Sequence, residues 1–341
     1  VGLSVTKLGT FLRFVGQQRR ERGRIFAELE AAAPPIDVRD AAASAEVELA
    51  SNEQEWRSSA IAVRAGQSFT IDARGALWMS RALAIGLEPR VALWVRIGGA
   101  APIRKLLGNR TTITAWADGP VELRLKTFEW ESQVGDALPG SQMRLSGSVT
   151  ATVAAWADAR PADTHRAPAE WRHLWRLGNG RIFAARDGEI DVSTHGDVGI
   201  LQLDCEHVLT PRTRLDWSWR VDELPSRLPE NLQVTHDYLS IAVEFESGLD
   251  LTYMWSAGLP EGHVYRCPLP WWCERETHWV QRSGSERLGE WLAESRPLAE
   301  DCRRVYGTVP QRVVSIWLIA NSVFQRGSGR ASFRDIRLAE R

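Results

Sequence analysis

The chain has 341 residues, 42 basic against 43 acidic side chains, and a formal charge of −1. That balance leaves no basic excess to hold a phosphate backbone, so no nucleic-acid partner is expected. A hydrophobic content of 44% with 25% charged residues belongs to a globular protein, and the length points to two domains. The longest apolar runs, near 313–320, are too short to span a bilayer.

Taken from the start, residues 7–32 carry Leu8, Leu12, Val15, Ile25, Phe26 and Leu29 at helical spacing, and Pro34–Pro35 stops the pattern. The reading is a helical arm over 1–35. Gly2, Gly9, Gly16 and Gly23 recur every seven residues and so return to nearly one helical face. Each glycine weakens a helix by roughly 1 kcal/mol, a cost that close packing against another backbone offsets. Residues 1–32 are therefore expected to join two copies into a homo-oligomer, a dimer first of all. Phe11, Phe14, Val15, Phe26 and Leu29 would touch the partner or fold back on the chain's own body. Residues 1–15 are only mildly apolar, and their arginines follow rather than precede them, unlike a secretory signal. Four cysteines, Cys205, Cys267, Cys273 and Cys302, are too few for a disulfide framework at this size. Both features suggest a cytoplasmic protein with reduced thiols.

From 36 to 156 the period becomes two. Segments 68–73, 91–97, 111–115 and 121–127 are short, alternating and β-branched, with glycine-containing turns between them. This is the pattern of an antiparallel sandwich. Residues 157–169, rich in Ala, Pro and Asp, read as a linker. Residues 170–341 form a second β domain. Leu215, Trp217, Trp219 and Val221 share one face of a strand, Leu239, Ile241, Val243 and Phe245 another, and 313–321 is apolar on both sides. Arg220 and Asp335 are expected to pair across that sheet. The fold class is thus all-β, with two jelly-roll or concanavalin-like sandwiches behind a helical arm.

Two stretches have wider likenesses. EWRSSAIAVRAGQSFTIDARGALW (55–78), VALWVRIGG (91–99) and TTITAWADGPVELRL (111–125) together resemble the bacterial galactophilic lectin-like domain over 45–150. The resemblance implies a jelly roll with a calcium-mediated sugar site. The chain departs at KTFEWESQVGDALPG (126–140), where Glu129, Glu131 and Asp136 are a thin oxygen set for calcium. The second half, through WRHLWRLG (171–178), LDWSWRVDELP (215–225), HDYLSIAVEFE (236–246), LTYMW (251–255) and FRDIRL (333–338), resembles a bacterial family of uncharacterised function with a concanavalin-like sandwich. It implies a fold and no chemistry.

The candidate chemistry lies in that half, which holds ten of the sixteen tryptophans. His236, Asp237 and Tyr238 open a strand and offer a base and an acid or oxyanion donor. The competing reading is a turn cap and a packed corner. Glu244 and Glu246, on one face of that strand, have the residue type and spacing of a glycosidase pair, or else form a solvated face. The loop 258–279 gathers His263, Tyr265, Trp271, Trp272 and His278, to which Tyr253 and Trp255 are added as stacking residues. A tryptophan lid over a groove is the sharper reading, and a loop packed on its own sheet the plainer one. Cys267 and Cys273 have five residues between them, outside the spacing of structural zinc pairs, so no metal is expected, and no organic cofactor. The expected activity is a cofactor-independent hydrolase or lyase acting on a glycoside or similar polar cyclic molecule. A non-catalytic carbohydrate-binding protein and a structural assembly protein are the alternatives.

Overall fold

The computed structural model describes residues 5–31, 33–51, 55–127, 129–138 and 143–341. Two compact units divide the chain. One comprises Gln18–His165 with Trp175–Gly180; the other comprises the described residues up to Gln17, with Arg166–Leu174 and Arg181–Arg341. Among the described residues the protein is all-β apart from its N-terminal helix, two short α-helices and one 3-10 turn.

The arm is a helix over Val5–Glu30. Its C-terminal half packs within the first unit: Ile25 and Leu29 are buried against Trp78 and Ala84, and the Phe26 ring lies 4.3 Å from that of Trp78. Arg22 donates to the carbonyls of Arg81 and Ala82. Phe14 is fully buried as well. These side chains are therefore satisfied within their own chain. The glycine strip makes no close approach where it can be tested, since a Cβ added at Gly9 or Gly23 meets nothing within 4 Å. Gly2 lies outside the described residues. Val5, Leu8 and Leu12 remain exposed. Among the described residues no helix is long and apolar enough to cross a membrane.

In the first unit, strands Ala41–Ala50, Ser146–Trp156, Ser68–Ser80 and Ile85–Leu87 form one sheet in that order, with Arg110–Thr114 also on 68–80. A four-stranded sheet runs Arg57–Val63, Gly119–Leu125, Leu93–Ile97, Ala100–Lys105. Alternate side chains, among them Phe69, Ile71, Val95, Leu123 and Val153, are wholly buried, as half-buried strands require.

In the second unit a seven-stranded sheet runs Arg172–His173, Val198–Val208, Arg312–Asn321, Tyr238–Phe245, Asp250–Ser256, Glu276–Ser283, Val264–Arg266. A five-stranded sheet runs Phe183–Arg186, Glu189–His195, Ser328–Glu340, Thr213–Glu223, Leu292–Pro297. Leu215, Trp217, Trp219 and Val221 from one sheet meet Leu239, Ile241, Val243 and Phe245 from the other in a single core. The Trp219 ring stands 5.8 Å from Trp217 and 5.5 Å from Trp255. Strands 250–256 and 276–283 pair in parallel, so a crossover over 257–275 must connect them.

The expected Arg220–Asp335 pair is not made. A bulge, where Asp216 opposes Arg337 but Ser218 opposes Arg334, removes Asp335 from the register. Arg220 pairs with Asp222, and Asp335 accepts from Ser218 and sits beside Arg334.

Candidate functional site

Because residues opposed in register share a face, the outward side of the seven-stranded sheet can be read directly from its pairing. One row crosses the strands as Gln202, Trp317, Ala242, Thr252, His278, Tyr265. The next is Asp204, Ser315, Glu244, Asp250, Glu276. The crossover lies over this face. Trp272, 7% exposed, meets Trp317 edge-on at 6.1 Å, and the Arg275 guanidinium stacks over both rings at 4.1 and 5.5 Å. Trp271 is half-buried. Gln202 Oε1, Ser240 Oγ and Trp317 Nε1 are buried beneath without a hydrogen-bond partner.

At one end of these rows His236, Cys267, Glu276 and His278 converge, with one ligand-type atom from each within 4.8 Å of all the others. None is more than 1% exposed. His236 Nδ1 lies 2.8 Å from the carbonyl oxygen of Glu230, an acceptor only, so that nitrogen carries the proton. Its Nε2 lone pair then faces Cys267 Sγ at 3.5 Å. His278 Nε2 stands 3.3 Å from Glu276 Oε1, which also accepts from Tyr238 at 3.1 Å and Thr252 at 3.3 Å. Neither ring nitrogen of His278 makes a hydrogen bond. Tyr265 stacks on His278 at 5.0 Å and 14°. Burial, with His278 alongside, drives His236 down to about 3. Burial pushes the Cys267 thiol and the Tyr238 phenol well up. Burial works to raise the Glu276 carboxyl, but His278 beside it outweighs that, holding it near 2. Asp250, buried beside Glu276, is held well above the usual carboxylate range by burial and that neighbouring charge.

The structure distributes the sequence candidates differently from the expected acid–base site. Asp237 is fully buried and accepts the N–H groups of Phe324 and Gln325 at 2.9 and 2.6 Å, so it holds a turn; burial raises it to about 7. Glu246 does not share the face of Glu244, because the strand ends at Phe245. Its carboxylate instead accepts the N–H groups of Gln311 and Arg312. Tyr253 and Trp255 oppose Ile241 and Leu239 and therefore point into the core. Tyr253 donates to Asp301 at 2.7 Å and Trp255 to the carbonyl of Gly284 at 2.9 Å. His263 stacks on Tyr265 at 5.7 Å, both half-buried. Glu244 stays on the outer face, accepting from Ser315 at 2.7 Å. Of the expected residues, His236, Tyr238, Tyr265 and His278 do come together, but in a closed cluster. Contrary to the expectation of no metal, these donor types can hold one. Glu276 was missed; the alternation Glu276-x-His278, which puts both side chains on one strand face, was the available signal. The four cysteines are free thiols.

A second candidate lies wholly within the first unit. A cleft of about 560 Å³ is lined by Trp94, Trp175, Arg104, Lys105, Gln133, Asp163, His165, Gly178 and Asn179, among others. Trp175 is half-buried there, packed against the cluster of Trp94, Ile103 and Trp130, and Trp94 is buried, its indole N–H donating to the Lys126 carbonyl. Gly178 has φ +79°, and a Cβ there would meet Lys105 at 2.6 Å and Trp94 at 2.7 Å, so only glycine fits. Two of the three carboxylates considered for calcium are otherwise engaged: Glu129 is buried and faces Arg176 at 3.5 Å, while Asp136 accepts from Ser132 at 2.6 Å; Glu131 is exposed.

Fold and sites together describe a two-sandwich protein with a helical arm. Residues 183–337 match the model of a family described as a protein of unknown function, DUF3047. No curated protein matches the chain. Solved structures similar to it include the N-terminal domain of EclA, a PllA-like lectin, at 17% identity, covering 32% of this chain and 94% of that one with a TM-score of 0.25. The xyloglucanase domain of NopAA from Sinorhizobium fredii is similar at 8% identity, covering 46% and 85%, TM-score 0.32. An exo-beta-agarase is similar at 10% identity over 52% of this chain but only 24% of its own, TM-score 0.29. None of these likenesses carries a residue or an activity over to this chain.

Proposed function

We propose that the protein binds carbohydrate, taking a saccharide or similar polar cyclic molecule in the cleft of the N-terminal sandwich. The observation that carries this reading is the cleft itself. Its 560 Å³ lies within the range of small-ligand pockets, about 300–1,000 Å³. A half-buried indole at the cleft wall, Trp175, offers an apolar surface for a sugar ring, and Arg104, Gln133, Asp163, His165 and Asn179 supply polar contacts around it. Calorimetric titration of the full chain with neutral and anionic mono- and oligosaccharides tests it. Binding that falls by about two- to tenfold in Trp175→Ala is the expected result, one aromatic contact being worth about 0.5–1.5 kcal/mol beyond burial. No heat with any saccharide ends the reading.

A second reading, a hydrolase or lyase on the C-terminal sheet, is favoured by one observation. Glu244 and Asp250 are opposed across adjacent strands on the face that also holds the unbonded Gln202 Oε1, Ser240 Oγ and Trp317 Nε1. Two carboxyl groups beneath a tryptophan-bearing crossover are the parts that glycoside cleavage uses. The crossover would have to lift to admit a substrate. Turnover of the same saccharide panel, lost in both Glu244→Gln and Asp250→Asn, is the result that would select it; absence of turnover leaves binding alone.

A further inference from the structure

We propose that His236, Cys267, Glu276 and His278 form a zinc site that pins the 257–275 crossover to the seven-stranded sheet. The site lies in the C-terminal unit and does not depend on the carbohydrate reading. Zinc–ligand bonds of the usual lengths put tetrahedral ligand atoms about 3.3–3.8 Å apart. The Cys267 Sγ–His236 Nε2 and His278 Nε2–Glu276 Oε1 separations, 3.5 and 3.3 Å, already have that spacing, and all four atoms lie within 4.8 Å of one another.

The second argument is the unfilled bonding capacity of His278. A wholly buried imidazole whose one close polar contact, Nε2 to Glu276 Oε1 at 3.3 Å, is poorly aligned for a hydrogen bond is costly. A metal on the nitrogen facing the cluster supplies the missing partner. Part of the outer shell is also in place. The Glu230 carbonyl holds the His236 Nδ1 proton and aims Nε2 inward, as metal-bound histidines require. Tyr238 and Thr252 hydroxyls orient the Glu276 carboxylate.

Charge and donor type select the ion. A thiolate, a carboxylate and two neutral imidazoles around a divalent cation sum to zero, so the loaded site carries no net charge into the interior. Thiolate and imidazole donors suit zinc and disfavour calcium or magnesium. Four protein ligands, none more than 1% exposed, leave no open position for water, which makes the site structural rather than hydrolytic. Its placement gives it work to do. Cys267 belongs to the crossover, Glu276 and His278 to the strand that follows, and His236 directly precedes the strand Tyr238–Phe245. One ion therefore ties three segments together across a parallel connection.

The test uses the full chain. Metal analysis of purified protein is expected to give one zinc per chain, and its removal by a strong chelator to lower the melting temperature by on the order of 10 °C. Cobalt added to the stripped protein should give the intense visible bands of tetrahedral coordination and a near-ultraviolet thiolate-to-metal band. Cys267→Ser should remove the thiolate band and His278→Ala most of the bound metal, while Cys273→Ser leaves both intact. If the variants do not fold, the wild-type cobalt spectrum still decides. A folded chain that takes up neither zinc nor cobalt overturns the proposal. So does a cobalt spectrum that is octahedral or lacks the thiolate band.

Discussion

The two sandwiches bury most of their tryptophans alike and differ in what stands over their polar groups. The N-terminal one leaves a cleft of about 560 Å³ with Trp175 at its wall. The C-terminal one, with more tryptophan, spends it on closure: Trp217, Trp219, Trp255 and Trp317 are no more than 1% exposed, and Trp272 covers the polar outer face. Dense aromatic content therefore does not itself mark a ligand groove. Trp175 sits in a turn beside the cleft, whereas Trp217, Trp219 and Trp255 sit in strands whose pleat turns them into the core. The polar residues of the two sites differ as well: Arg104, Gln133 and Asp163 stay exposed around the cleft, whereas His236, Cys267, Glu276 and His278 are gathered out of solvent.

Four changes would break or sharpen this contrast. The largest is Trp219→Ala, which removes a wholly buried indole whose N–H donates to Glu294 at 3.2 Å. It should cost about 3–5 kcal/mol in urea denaturation, confined to the C-terminal unit by hydrogen exchange. A loss under about 1 kcal/mol would mean that this tryptophan does not carry the core. Next is Gly178→Ala, where positive φ and the 2.6 Å approach to Lys105 act together. A loss of about 1–3 kcal/mol is expected, with distortion of the cleft read as weakened saccharide binding; unchanged affinity would detach Gly178 from the site.

Lys126 gives a smaller, pH-dependent effect. It is 4% exposed, and burial, then the Arg124 charge, lower it to about 8 from 10.5. A depressed amine contributes stability that is complete above its unfolded value and lost as pH falls through the folded one. Stability of the N-terminal sandwich should therefore climb between pH 8 and 10.5, and Lys126→Met should flatten that slope and gain about 1 kcal/mol at neutral pH. Melting curves over this range check it, and an unchanged slope would refute it. The smallest energetic effect is expected of Leu12→Glu, on the exposed face of the arm. If residues 1–32 join two copies, this change should halve the mass measured by light scattering while leaving the melting temperature within a degree or two. A monomeric wild-type chain would discard the dimer.

Much of the architecture was legible in the residues. Alternation in 68–73, 121–127, 215–221 and 239–245 gave the strands and the apolar inward faces, because side chains two apart on a pleated strand share a face. Helical spacing up to Leu29, followed by Pro34–Pro35, gave the arm. Local pattern misled where it ended or where either face was plausible. Glu246 continues the alternation of 239–245, yet the turn at Ser247–Gly248 releases it from the strand. Tyr253 and Trp255 looked like stacking residues, but register with Ile241 and Leu239 turned them inward.

What the sequence by itself determined was which residues could be strands, and which of their faces would be apolar. Only the tertiary structure decided which polar residues would meet. His236, Cys267, Glu276 and His278 come from three separate segments, and no spacing within the chain foretells their convergence. It follows from the parallel pairing that sets Asp250 opposite Glu276 and Thr252 opposite His278, and from the crossover that carries Cys267 back over the same edge. Parallel pairing is a long-range choice, made by burial of both sheet faces rather than by any local preference of the residues it joins.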